Sequence, residues 1–346
     1  MDRAGRNSNN VKLSVMRALI ASLGSIGRRH LANLRLIEPD THITVWHQHS
    51  NHSGNTESLF PADCVVYRLE DALGTQPDVA LITCPASRHI ETGLALVEHG
   101  IHLFIEKPLS NTLSGVDRLL SLCHRHSLVL MVGYNFRFYL PMQIMRQALL
   151  QGQIGRVLSA RAEVGQYLPD WRPGSDYRQS VSARSELGGG VLLELSHELD
   201  YVRWLVGEVE TVSAHIGHLS NLETDVEDMA EIILQFDRGA IGSVHLDMTQ
   251  RVATRTCRII GTEGTLVWDG MSHQVRLFSV VTNTWTDLYP AQVIDRNDMY
   301  IAELRHFLDC ARGDTTPSVT GEDGRRVLQI ALAAKQSSIE QRVVKL

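Results

Sequence analysis

From Arg17 to Gly133 the chain alternates short apolar runs with stretches of helical periodicity, and this alternation strongly constrains the fold. Six runs are predicted to be strands: 17–23, 42–46, 63–67, 78–83, 102–105 and 128–133. Most of them are apolar on both faces, which is typical of parallel strands that helices cover on both sides. Helices are predicted near 26–37, 87–99 and 112–125. The pattern therefore predicts an α/β fold with a doubly wound parallel sheet.

The pattern changes after residue 135. Helices are predicted near 139–151 and over 188–205, then alternating segments typical of antiparallel strands, and finally helices near 298–312 and 320–341. Thr320 and Asp323 fit a capping box at the start of the last helix. A chain of 346 residues exceeds one usual core. We therefore predict a flexible N-terminus (1–16), a dinucleotide-binding Rossmann domain (17–135) and an α+β domain (136–346) with a large, mostly antiparallel sheet.

Composition excludes several classes of protein. The formal net charge is −6 and no basic block stands out, so no nucleic-acid partner is expected. No apolar run approaches the roughly 18 residues of a spanning helix, and the polar start of the chain does not resemble a signal peptide. Five cysteines are scattered without a CxxC spacing, which favours a reducing, cytoplasmic location.

A glycine turn follows the first predicted strand, in the segment SLGSIGRRH. Gly24 and Gly27 open a helix there, so the backbone and the helix N-terminus are able to approach a pyrophosphate. Ser22 stands where the full G-x-G-x-x-G pattern has its first glycine. A plain strand–helix turn is the alternative, and the surrounding βαβ pattern favours the dinucleotide site.

The end of the second predicted strand carries no acid. An NAD site usually places a carboxylate about 20 residues after the glycine turn, where this chain has His47. Its absence tilts the prediction slightly from NAD towards NADP, although His47, Gln48 and Ser50 are also able to bind a plain ribose. His47, His49 and His52 suggest a metal as well, but solvated surface is the simpler interpretation and we predict no metal.

Lys107 lies in the motif EKP, directly after the fifth predicted strand. Ligands of open α/β sheets bind at the carboxyl ends of the strands. A lysine buried near a cofactor can serve as a general acid or base when its pKa is lowered. The alternative is a structural ion pair between Glu106 and Lys107.

Four segments together resemble the Gfo/Idh/MocA (glucose–fructose oxidoreductase, inositol dehydrogenase, rhizopine catabolism) family. They are SLGSIGRRHLANL, TCPASRHIETGLALVEHGIHLFIEKPLS, VGYNFRF and GGGVLLELSHELD. The resemblance runs from about residue 17 to the C-terminus. It implies a Rossmann domain, NAD(P), a sugar-like small-molecule substrate, and a homodimer or homotetramer formed through the C-terminal sheet.

The resemblance, together with the glycine turn, the end of the second strand and the polar stretch described below, gives expected roles for individual residues. Lys107, His197 and Glu194 would be catalytic, with Lys107 and His197 moving the hydroxyl proton. Residues expected to contact the cofactor are Ser22, Gly24, Ser25, Ile26, Gly27, His47, Thr83, Pro85, His89, Glu106, Lys107 and Asn135. Residues expected on the substrate side are Tyr134, Arg137, Arg172, Tyr177 and His197.

The predicted helix over 188–205 departs from the family pattern. Members usually have Asp, three residues and then His, whereas this chain has Glu194 and only two residues before His197. A spacing of three still places both side chains on roughly one helix face. Glu198 and Asp200 are expected to be structural, with Asp200 an alternative to Glu194 for orienting the histidine.

A polar stretch, DWRPGSDYRQSVSAR, precedes this helix and contains Arg172 and Tyr177. It is either a solvated loop or a substrate lid whose arginines bind a carboxylate or phosphate. The second interpretation suits an acidic sugar or a nucleotide sugar.

The sequence thus predicts an NAD(P)-dependent dehydrogenase or reductase acting on the CH–OH group of a sugar, polyol or nucleotide sugar. Two alternatives stay open: an enzyme that oxidises its substrate only transiently and retains the cofactor, and a silent protein that binds dinucleotide and sugar without turnover.

Overall fold

The computed structural model describes residues 15–47 and 61–346. Six strands form the first sheet: β1 Arg17–Ala21, β2 His42–Trp46, β3 Cys64–Val66, β4 Val79–Ile82, β5 His102–Ile105 and β6 Leu130–Val132. They pair in the order β3-β2-β1-β4-β5-β6, all parallel. This order reverses direction at β1, as in dinucleotide-binding doubly wound sheets. The predicted Rossmann architecture is confirmed.

Four helices connect these strands: α1 Ser25–Ile37, α2 Leu69–Gly74, α3 His89–Val97 and α4 Val116–Arg125. Three of them match the predicted helices. The sequence did not predict α2, because six residues are less than two turns and show no helical periodicity.

The second sheet has nine strands: β7 Val157–Gly165, β8 Val209–Gly217, β9 Met229–Phe236, β10 Ile241–Asp247, β11 Thr254–Gly261, β12 Gly264–Asp269, β13 Val275–Ser279, β14 Thr284–Tyr289 and β15 Val344–Lys345. Their order is β14-β13-β12-β11-β7-β10-β9-β8-β15. Among the described residues of this second sheet, only β7 and β10 pair in parallel, and the other neighbours are antiparallel. Helices cover one face of this sheet. Ile233, Ile241 and Ile260 are 51%, 57% and 41% exposed on the other face.

Five further helices follow the first sheet: α5 Leu140–Leu150, α6 Val191–Glu194, α7 His197–Val206, α8 Asn297–Arg312 and α9 Gly321–Glu340. The capping box of Thr320 and Asp323 at the start of α9 is confirmed. The last two helices return to the first sheet, where α8 packs on α1 and α9 on β6. The domain boundary at 135/136 stays a prediction. Among the helices of 15–47 and 61–346, none combines the length and apolarity that crossing a bilayer requires.

The prediction of one continuous helix over 188–205 was wrong, because α6 and α7 are separate. In a continuous helix the carbonyl oxygens of Leu193 and Glu194 would accept backbone N–H groups four residues later. Here the Ser196 hydroxyl donates to the Leu193 carbonyl at 2.9 Å, and Lys107 Nζ donates to the Glu194 carbonyl at 2.7 Å. The helix therefore stops at Glu194 and restarts at His197.

Candidate active site

A cleft of about 810 Å³ lies at the carboxyl ends of the first-sheet strands, facing α6 and α7. One wall comes from the Rossmann domain: Ser22, Gly24, Ser25, Ile26, Arg29, Thr83, Cys84, Pro85, Ala86, His89, Glu106, Lys107, Pro108, Gly133 and Asn135. The facing wall comes from later segments: Arg172, Ser175, Asp176, Gln179, Ser180, Val181, Glu194, His197 and Tyr300. Most of the predicted site residues are therefore brought together in one cleft.

The glycine turn is built for close approach. A Cβ on Gly27 would come within 2.6 Å of the Ser22 carbonyl oxygen and 2.8 Å of Thr83 Oγ1, so only glycine fits there. Ser22 has a left-handed φ of 81°, which explains why the pattern usually has glycine at that position. No side chain caps α1 and its first turn contains no acid, so its N–H groups are available to an anion. These features fit a dinucleotide pyrophosphate.

The loop after β4 is fixed by buried hydrogen bonds. Thr83 Oγ1 donates to the carbonyls of Ala21 and Ser22, at 3.1 and 2.7 Å. The ring of His89 lies between the carbonyls of Cys84 and Pro108, at 2.7 and 2.9 Å, and burial lowers its pKa. His89 thus joins the end of β4 to the loop that carries Lys107.

Glu106 and Lys107 do not form the ion pair that the sequence allowed. The Glu106 carboxylate instead accepts from buried His30 Nε2 at 2.6 Å and from the Lys107 backbone N–H at 3.1 Å. The Lys107 ammonium crosses the cleft to the Glu194 carbonyl. Lys107 therefore bridges the Rossmann wall and the end of α6.

His197 begins α7 and lines the cleft beside Lys107. Burial holds its pKa well below the usual value, and the positive charge of Lys107 lowers it further. Its Nδ1 atom is buried without a hydrogen-bond partner, and its ring packs against Tyr134 and Phe136. The lowered pKa favours the neutral imidazole, and no carboxylate within residues 15–47 and 61–346 forms a hydrogen bond with it.

The acidic neighbours of His197 are engaged elsewhere. Glu194 Oε2 accepts from the Ser182 hydroxyl at 2.8 Å, although its side chain still lines the cleft. Buried Asp200 forms a two-bond pair with Arg137, at 2.6 and 3.0 Å. Buried Glu198 forms a similar pair with Arg255, at 2.7 and 3.0 Å. Glu198 and Asp200 are structural, as expected, and Asp200 does not orient His197.

Several predicted residues lie outside the cleft lining. Arg137 is 6% exposed and also donates to the Ser318 carbonyl, so its guanidinium holds α7 and α9 rather than facing a substrate. Tyr134 is fully buried behind His197. The Tyr177 hydroxyl accepts from the Glu223 N–H. The ring of His47 stacks on Tyr67, and His49 and His52 lie outside the described residues.

The polar stretch forms short 3-10 turns at Leu168–Asp170, Tyr177–Gln179 and Val181–Ala183. Arg178 pairs with Asp176 and Glu223, each at 2.9 Å. Arg172, in contrast, lines the cleft and no hydrogen bond or ion pair links its guanidinium to any residue of 15–47 and 61–346. Arg172 is thus available to a ligand.

Sequence reasoning missed Arg29, His30 and Tyr300. The Arg29 guanidinium lies 4.5 Å from the centre of the Tyr300 ring, and both line the cleft. His30 appears in the glycine-turn segment, but only the fold reveals its contact with Glu106. Nothing in the local sequence of Tyr300 distinguishes it, because α8 reaches the cleft from the far end of the chain.

A doubly wound sheet with an open helix N-terminus, a bridging lysine and a neutral histidine defines a nicotinamide-dinucleotide-dependent oxidoreductase. Two family models match the chain: "Oxidoreductase family, NAD-binding Rossmann fold" over residues 16–134, and "Oxidoreductase family, C-terminal alpha/beta domain" over 146–346. The chain belongs to the Gfo/Idh/MocA oxidoreductase family, which confirms the resemblance.

Among curated proteins, the chain is 28% identical to a myo-inositol 2-dehydrogenase of Thermotoga maritima over 343 residues, covering 96% of this chain and 98% of the relative. Among solved structures, it resembles a levoglucosan dehydrogenase in complex with NADH and levoglucosan, with a TM-score of 0.85 and 22% identity over 95% of this chain and 99% of that one. It also resembles the WlbA dehydrogenase of Bordetella pertussis in complex with NADH and UDP-GlcNAcA, with a TM-score of 0.81 and 22% identity over 96% and 99%.

Proposed function

We propose that the protein interconverts a carbinol and a carbonyl on a sugar, polyol or nucleotide sugar. The observation that carries the proposal is the meeting of Lys107 and His197 in the cleft, on opposite walls that the Lys107–Glu194 hydrogen bond connects. Bound NAD(P) supplies the hydride chemistry, and the protein supplies position and proton transfer. Gly24, Ser25 and Ile26 would hold the pyrophosphate, and Asn135 and Glu106 line the same cleft further along.

The two groups divide the proton chemistry. The Lys107 ammonium has three N–H donors and uses one on the Glu194 carbonyl, which leaves donors for a substrate oxygen. Neutral His197 is able to accept the hydroxyl proton when the substrate is oxidised and to return it on reduction. Glu194 would act mainly by positioning: its carbonyl directs Lys107 and its carboxylate is held by Ser182.

Substrate selection would come from the polar stretch. The Arg172 guanidinium lines the cleft and is unpaired among the described residues, which suits a carboxylate or phosphate on the substrate. An acidic or nucleotide-linked sugar would use it, whereas a neutral polyol such as inositol would not. The similarity to both a UDP-sugar and an inositol dehydrogenase makes this contrast worth testing.

The finer preference for NADP stays a proposal. His47 directly follows β2, and the segment 48–60 after it lies outside the described residues. The levoglucosan dehydrogenase and WlbA structures are NADH complexes, so NADH is the first cofactor to test and NADPH the second. Fluorescence titration with each cofactor decides the preference.

We also propose that the open face of the second sheet joins copies of the chain into a homodimer or homotetramer. Ile233, Ile241 and Ile260 lie exposed on this face, and a second copy would bury them. Sedimentation should then show a dimer or tetramer that Ile233→Asp disrupts.

The five cysteines are all free thiols, which supports a reducing, cytoplasmic location.

The experiment that tests the function is an NADH and NADPH absorbance assay against neutral polyols, acidic sugars and nucleotide sugars, with product analysis. Net cofactor turnover with one of these classes supports the proposal. Product formation without net cofactor change indicates the transient-oxidation alternative. Binding of cofactor and sugar without any product indicates a silent binding protein.

A further inference from the structure

A second cleft, of about 560 Å³, lies at the C-terminal ends of α5 and α7 and shares no lining residue with the active-site cleft. Four arginines line it: Arg146, Arg156, Arg203 and Arg238. Arg203 is neutralised by Glu208 and Asp323, at 2.5 and 2.8 Å. The other three form no ion pair with any carboxylate of the described residues.

The guanidiniums without an ion pair share this cleft with an aromatic and apolar surface. Arg146 donates to the Trp204 carbonyl and lies 5.4 Å from the centre of the Trp204 ring. Leu150 lines the same cleft and is 67% exposed. Burial lowers the pKa of Arg146, and the positive charges of Arg137 and Arg238 add to that effect. Guanidiniums gathered in this way repel each other unless an anion lies between them.

The lining also contains acids, which reduce the positive charge that the cleft presents to an anion. Glu208 and Asp323 form ion pairs with Arg203. Asp237, the remaining acid of the lining, forms no ion pair within the described residues. Three unpaired arginines against one unpaired carboxylate leave an excess of positive charge. Guanidinium pairs bind the paired oxygens of a phosphate well, and the Trp204 ring offers a surface for a flat group.

We infer that this cleft is a binding site for a small phosphate ester, separate from the active site. Phenyl phosphate is a suitable probe, because it combines a phosphate with a flat ring. Calorimetric titration of the NADH-saturated Arg172→Gln variant, whose pyrophosphate site is filled and whose active-site guanidinium is removed, should show one phenyl phosphate bound per chain. Benzyl alcohol, which has the ring without the charge, should give no binding.

The double variant Arg156→Gln/Arg238→Gln removes two exposed guanidiniums from the cleft and should weaken phenyl phosphate binding at least about tenfold. Arg118→Gln/Arg125→Gln removes two exposed guanidiniums from α4 and is the matched control, with affinity within about twofold of the wild type. Melting temperatures show whether both variants are folded. Equal affinity in the two variants, no binding to the wild type, or equally tight binding of benzyl alcohol would each overturn the inference.

Discussion

The two walls of the active-site cleft are built differently. On the Rossmann wall, polar side chains are held by buried partners: Thr83 by two carbonyls of the glycine turn, His89 by two carbonyls, and Glu106 by His30. On the facing wall, neither the Arg172 guanidinium nor buried His197 Nδ1 has a hydrogen-bond partner within the part of the chain that the structure describes. The polar side chains of the Rossmann wall are therefore held by protein partners before a ligand binds, whereas the facing wall keeps polar groups without such partners.

This contrast separates two tasks. A cofactor that is the same in every turnover is served by a rigid wall, since a fixed site loses little entropy on binding. Arg172 and the cleft-lining part of His197 are available to the substrate, whose identity differs between relatives. Lys107 belongs to both walls, because its backbone follows β5 while its ammonium bonds to the end of α6.

The largest effect is expected at Lys107. Lys107→Met should lower kcat by about 10²–10⁴-fold, because it removes a proton donor, while the NADH Kd changes less than about threefold. Lys107→Arg should also lose turnover, since a guanidinium does not release its proton. Lys335→Met, at an exposed position of the largely packed helix α9, is the control and should turn over normally. A Lys107 variant with wild-type kcat would remove this residue from proton transfer.

His197→Asn should lower kcat by about 10²-fold or more with little change in cofactor binding. Because the pKa of His197 lies well below its usual value, the imidazole stays neutral as the pH falls through 6.5. The kcat/KM for oxidation should therefore show no acid limb from this residue near pH 6.5. A limb at that pH that disappears in His197→Asn would show that the histidine titrates normally.

The glycine turn tests the rigid wall. Gly27→Ala forces a Cβ against the Ser22 carbonyl and Thr83 Oγ1, so it should destabilise the fold by about 1–3 kcal/mol and weaken NADH binding. Ser22→Gly is the paired variant, because it relieves a left-handed φ and should leave stability within about 1 kcal/mol of the wild type. Thermal unfolding and NADH titration measure both. Tolerance of Gly27→Ala would mean that the turn is not fixed.

The smallest expected effect is a change in KM, and it should differ between two arginines of the polar stretch, Arg172 and Arg178. Arg172→Gln should raise KM about tenfold for a substrate with an acidic group, with kcat nearly unchanged. Arg178→Gln breaks only exposed pairs with Asp176 and Glu223, so KM should stay within about twofold. Steady-state kinetics on an acidic and a neutral sugar compare them. Equal effects of the two variants would exclude Arg172 from substrate selection.

The rigid wall was the easier one to predict from sequence. Buried parallel strands show as apolar runs, and the glycine turn and the EKP motif directly follow two of them, so their meeting at one sheet edge follows from the fold. The capping box of Thr320 and Asp323 is equally local, since both partners lie within one turn.

The facing wall depends on contacts between distant segments. At the break between α6 and α7, Lys107, which is 87 residues away in sequence, donates a hydrogen bond to the Glu194 carbonyl. The local pattern of apolar residues cannot predict a contact over that separation. The family resemblance places Arg137 on the substrate side, and its buried pair with Asp200, 63 residues away, is visible only in the fold. For the same reason the contribution of Tyr300 to the cleft became visible only in the structure.

The central claim is direct hydride transfer between a substrate carbinol and the cofactor in this cleft. Its most direct test uses the substrate found in the sugar panel, with deuterium on the reacting carbon, and mass spectrometry of the reduced cofactor. We expect one deuterium per reduced cofactor in the wild type and almost no reduced cofactor with Lys107→Met. Reduced cofactor without deuterium, or substrate consumed with the deuterium lost to water, would contradict it.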